Sequence, residues 1–198
     1  RQRIGALASA ALAISAALPA SAAAATDFGD DCSASSGEPD HTVLQLSRNS
    51  GSTLPLTAPG YGIVTSWTVR IAPGFAIQAA PVRLLLLRPT TNSSEFRIVG
   101  ESADSVAGQL VFTAKTRIVV EAGDRLGLYS SRGSGTPVCN TGVAGDELGF
   151  LLGAAAPGST HMFTSQAGFR VPVSATLEAD RDGDGYGDET QDACPQSG

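Results

Sequence analysis

Residues 63–71 read Ile-Val-Thr-Ser-Trp-Thr-Val-Arg-Ile. Ile63, Thr65, Trp67, Val69 and Ile71 fall on one side of an extended chain, and Val64, Ser66, Thr68 and Arg70 on the other. Successive side chains of a strand project to opposite faces, so this alternation reads as a half-buried β-strand. Trp67 shares its face with Val69 and Ile71, which makes it core rather than binding surface. A second run repeats the pattern: Phe169, Val171, Val173, Ala175 and Leu177 alternate with Arg170, Pro172, Ser174 and Thr176. Pro172 has no N–H to give a ladder, so it predicts an edge position for that strand.

Outward from these two runs, weaker strands are expected at 42–46, 82–88, 95–99, 109–113, 117–121, 125–131, 147–152 and 161–164. Turn formers separate them: Ala72-Pro-Gly74, the stretch Pro89 to Ser94, Glu121-Ala-Gly-Asp124 and Ala156-Pro-Gly158. Beyond the N-terminal segment, no stretch carries apolar residues at helical spacing over three turns. Short strands at intervals of roughly 8–15 residues predict an all-β fold, an antiparallel β-sandwich or jelly-roll-like domain spanning 41–177.

The 198-residue chain is 42% hydrophobic and 16% charged, with 23 Gly and 11 Pro, too apolar for disorder and too broken for a helical bundle. Its net charge of −6 lies entirely after Leu177, where seven acids face one arginine; the remainder carries 12 acids and 12 bases. That balance excludes nucleic acid, which needs clustered Lys and Arg, and points to a cation. At the start, Arg1 and Arg3 precede an apolar run from Ile4 to Leu18 and a small-residue stretch ending at Ala25. Residues 1–25 therefore read as a signal peptide, too short in its apolar part for a ~20-residue membrane span, and the expected location is extracellular or cell-surface. Residues 26–40 read as a polar lead. Of the three cysteines, Cys32 and Cys139 both precede the acidic segment and are expected to pair in an oxidising compartment, leaving Cys194 alone.

The acidic segment, 178–198, is the most specific stretch. Residues 180–195 read DRDGDGYGDETQDACP. Asp180, Asp182 and Asp184 occupy positions 1, 3 and 5 of a loop, and Gly185 at position 6 permits the sharp turn round an ion. The carbonyl of Tyr186 fits position 7, and Asp188 and Asp192 are candidates to complete a Ca2+ shell of six to eight oxygens. An EF-hand would place an apolar residue at position 8 and Glu at position 12; here Gly187 and Gln191 stand there, and no helix is expected to follow.

On these residues the segment resembles a thrombospondin type 3 repeat, with Asp180, Asp182, Asp184, Gly185, Asp188, Cys194 and Pro195 matching in kind. One residue more than the common spacing separates Asp188 from Asp192. The resemblance implies calcium binding by a non-globular string of loops stitched by disulfides between units. The chain is also similar to actinobacterial exported proteins that set such a motif after a β-sandwich. No nucleophile elbow, zincin motif or phosphate loop accompanies it, and His41 and His161 lie far apart in sequence. The expectation is therefore a non-enzymatic structural or adhesion-type protein, its tail a calcium-rigidified spacer. A carbohydrate-binding module, with Tyr61 as its exposed aromatic, is the alternative, and a secreted hydrolase the third. Partners are expected at the cell surface or among glycans. The body is expected to fold without the tail and to melt almost independently of calcium.

Overall fold

The computed structural model describes residues 24–49, 51–74, 80–107, 110–131 and 135–197, so the expected signal peptide lies almost wholly outside the described residues. Every regular element among them is a strand. In chain order these are β1 (Thr26–Gly29), β2 (Ser36–Glu38), β3 (His41–Ser47), β4 (Gly62–Arg70), β5 (Ala80–Pro89), β6 (Glu95–Glu101), β7 (Ser105–Ala107) and β8 (Val111–Val120). There follow β9 (Arg125–Tyr129), β10 (Thr136–Asn140), β11 (Glu147–Leu152), β12 (Thr160–Met162), β13 (Thr164–Ala167), β14 (Phe169–Arg170) and β15 (Val173–Glu178).

The fold is all-β, as the alternation demands, and its strands pair antiparallel. A four-stranded sheet runs β1-β15-β4-β8, and an eight-stranded sheet runs β12-β6-β5-β9-β3-β11-β13 with β7 beside β5. A smaller sheet runs β14-β10-β2. One apolar cluster joins Phe28, Val64, Trp67, Val69 and Ala175 of the first sheet to Val43, Leu84, Leu86, Leu128 and Leu148 of the second. Two sheets sharing one core make a sandwich. Trp67 is 1% exposed, with Phe112 edge-on at 5.3 Å.

The leucine run of β5 has its own logic. Leu84 and Leu86 enter the shared core, while Leu85 and Leu87 join Phe96, Ile98 and Phe163 in a second cluster. A strand buried on both faces reads as a continuous apolar run instead of an alternating one.

Several expectations change. β15 is flanked by β1 and β4, so Pro172 does not mark an edge strand; it sits in the gap between β14 and β15, where it need give no ladder bond. The strands expected at 109–113 and 117–121 are a single strand, β8, because Ala114-Lys115-Thr116 contains no turn former. In β4, Val64 and Trp67 both reach the shared core although three positions separate them. The pairing with β15 explains this: adjacent Thr176 and Leu177 face Ser66 and Val64, so Thr65 is an extra residue, a β-bulge, and turns to the outer face.

The polar lead is built into the sandwich. β1 pairs along β15, Phe28 is fully buried, and Cys32 is disulfide-bonded to Cys139. Beyond β1, the Asp30 carboxylate accepts from Arg170 and Arg48, with Asp30 and Arg170 both buried.

Candidate metal centre

β15 delivers the chain to the acidic loop. One ligand oxygen from each of Asp180, Asp182 and Asp184 lies within 4.8 Å of the others. Asp180 is buried, Asp182 half-buried and Asp184 exposed. Positive φ at Gly183 (75°) and Gly185 (84°) lets the backbone curl round this group, a conformation that costs a residue with a Cβ.

In four aspartates one oxygen shapes the loop, and in three of them the other is left over. Asp182 Oδ1 accepts the Asp184 N–H, Asp180 Oδ2 accepts the Gly185 N–H, and Asp192 Oδ1 accepts the Cys194 N–H. Asp188 Oδ1 accepts the Arg181 N–H, and its other oxygen lies 3.5 Å from the Arg181 guanidinium. The remaining oxygens Asp180 Oδ1, Asp182 Oδ2 and Asp192 Oδ2 are buried with no hydrogen-bond partner. Buried polar atoms are nearly always paired, and a buried anionic oxygen left bare is costly. Two of these oxygens belong to Asp180 and Asp182 of the close group, and carboxylates gathered in this way with bare oxygens are a donor set for a hard cation. Asp184 joins them through a carboxylate whose Oδ1 accepts the Tyr186 N–H. Asp188 and Asp192 stand outside the close group formed by the first three.

The loop does not stand away from the sandwich as a string. Glu178, at the end of β15, is 1% exposed and accepts four hydrogen bonds. Its Oε1 takes the hydroxyls of Thr65 (2.9 Å) and Thr190 (2.7 Å). Its Oε2 takes the N–H groups of Glu189 (3.0 Å) and Thr190 (2.9 Å). Burial alone would raise this carboxyl; the bonds from Thr190, Thr65 and Glu189 outweigh it and hold the group below its ordinary range. Gln191 Nε2 donates to the Thr116 carbonyl of β8, and the Arg117 guanidinium lies 4.1 Å from the Tyr186 ring centre. Tyr61, 54% exposed, donates to Asp180 Oδ2 at 3.3 Å. Burial and the neighbouring Asp180 raise its phenol above the usual value.

No family model, curated protein or solved structure matches the chain.

The sequence located the aspartates but missed what holds them. Glu178 and Thr65 sit inside strand patterns that gave no reason to single them out. Gly187 was the available signal: a Cβ there would lie 2.6 Å from both Glu178 Oε2 and Thr65 Cγ2. The histidines form no joint site. His41 is on β3 and His161 on β12, with β6, β5 and β9 between them, roughly 19 Å at ~4.8 Å per strand. Cys194 is an exposed free thiol. Among the described residues no helix is long and apolar enough to cross a membrane.

Proposed function

We propose that the chain is an exported calcium-binding structural protein of the adhesion type, working at the cell surface without catalysis. The observation that carries this reading is the convergence of Asp180, Asp182 and Asp184, two of which hold buried oxygens without partners. The Tyr186 carbonyl, Asp188 and Asp192 are the candidates to fill the remaining positions. A flexible, all-oxygen loop suits calcium better than magnesium, which demands a near-ideal octahedron and keeps its waters. The Cys32–Cys139 disulfide fits an oxidising compartment. Calcium supplies positive charge that lets the carboxylates pack, and the chain's part is to hold them in place.

Calorimetric titration of the full chain tests this. Binding is expected with Kd near 10⁻⁴–10⁻³ M, the range of extracellular modules, and with weaker heats for magnesium. Asp182→Ala combined with Asp184→Ala is expected to abolish it. An unchanged titration for that double variant, or no heat up to ~10 mM calcium, defeats the proposal.

A second reading, a carbohydrate-binding module, is favoured by one feature. A groove of about 390 Å³ is lined by Glu38, His41, Phe150, Leu152 and Gln166, with Leu152 75% exposed. Thr164 and Ser165 line it too, so Phe150 and Leu152 offer apolar contact among polar groups, a mixture that suits a sugar face. A glycan array decides it: binding lost on Phe150→Ala supports the module, and an array without hits removes it.

A further inference from the structure

The loop departs from the helix–loop–helix pattern at Gly187 and Gln191, and both positions touch the sandwich. Gly187 packs against Glu178 and the bulge residue Thr65 so closely that no larger residue fits without displacement. Gln191 ties the loop to β8 through the Thr116 carbonyl. Glu178 belongs to both sides: its backbone pairs with Ile63 of β4, while its carboxylate caps the turn at Glu189 and Thr190. The chain also passes close to Gly62, where a Cβ would lie 2.1 Å from the Glu178 carbonyl oxygen. Two residues beyond Glu178, Asp180 of the close acidic group is 7% exposed and keeps a buried, partnerless oxygen.

We propose that the acidic loop is a calcium-set latch on the four-stranded sheet, with Glu178 the positioning residue that makes ion site and sandwich one cooperative unit. This rests on the calcium reading above. Without an ion, the crowded carboxylates repel and the loop loosens; Glu178 loses the N–H groups it caps, and the β4 bulge loses its cover. With an ion, the turn is fixed and Glu178 is held between Thr65 and Thr190. Calcium binding is then felt in the sandwich's own stability, whereas a free spacer would leave it unmoved.

The experiment uses the full chain, melted at rising calcium, with ion binding followed separately by calorimetry. At calcium hundredfold above its Kd, a ligand bound only by the folded unit raises the melting temperature of a domain this size by roughly 5–10 °C. Amide exchange at 62–66 should slow in parallel. Glu178→Gln and Gly187→Ala leave every proposed ligand in place. Both are expected to lose most of the calcium-dependent rise and to weaken calcium binding severalfold, whatever they do to the melt without calcium. If Glu178→Gln fails to fold, Gly187→Ala carries the test. Calcium that binds while the wild-type melt stays put overturns the latch and leaves the calcium site standing. A full rise retained in Gly187→Ala overturns it equally. No binding at all overturns both.

Discussion

Within the loop, Asp180, Asp182 and Asp184 are not equivalent, although the D-x-D-x-D spacing treats them alike. Asp180 is buried, accepts from Gly185 and Tyr61 through one oxygen, and keeps the other bare. Asp184 is exposed and easily hydrated. Asp180→Asn is therefore expected to weaken calcium binding roughly 10–100-fold, the range typical of disturbed metal sites, and Asp184→Asn by less than tenfold. The sign should reverse without metal. Unit charges about 4.8 Å apart repel by about 1 kcal/mol in water-like surroundings, so Asp184→Asn should melt slightly above wild type in chelator and below it in calcium. Calorimetry and paired melts check both halves. Equal losses for the two variants would show that burial does not rank these ligands.

Among the elements, the long alternating strands were legible because burial on one face leaves a period of two in the sequence. Gly62–Arg70 emerges within a residue of expectation and the weaker strand Glu147–Leu152 at its expected bounds, while the alternating run 169–177 is broken after Arg170 into β14 and β15. The bulge was not legible. Thr65 suits either face of a strand, and only its pairing partners decide which it takes. β1 was invisible for another reason: Thr26–Gly29 is too short to show a period, and its strand character comes from β15 alongside. The same holds for Glu178, whose role depends on Thr65, distant in sequence, and on a turn that follows it. A prediction belongs to the lead. Phe28 is fully buried in the shared core, and Asp30 is the buried counter-charge of Arg170. Removing one partner of such a pair strands the other charge at a cost of about 3–5 kcal/mol. Asp30→Ala is thus expected to destabilise by that amount. Opening the Cys32–Cys139 disulfide should cost about 2–5 kcal/mol. Urea titrations read both; a change under ~1 kcal/mol for Asp30→Ala would mean the lead contributes little.

For the whole molecule, the question is whether the sandwich stands without the loop. The shared core, the disulfide and both principal sheets up to the last residue of β15 lie before Glu178, so a chain ending at Leu177 keeps nearly all of what drives folding. It loses Glu178 and the loop over the outer face of β4, where Thr65 is 5% exposed. Gone are the four bonds to the Glu178 carboxylate and the Gln191 link to β8. Hydrogen bonds contribute about 1 kcal/mol each net, and those within a turn that departs as a whole matter least to what remains. The Thr65 hydroxyl returns to water, so the truncated sandwich should lose about 1–3 kcal/mol rather than its fold. It is expected to give a β-type far-UV spectrum and a single cooperative melt, several degrees below the full chain in calcium. Chelator should lower the full chain toward the truncated value and leave the truncated chain unmoved. That last comparison separates the two arrangements a calcium loop can take. A spacer leaves both proteins melting together at every calcium concentration, whereas a latch joins them only when the ion is gone.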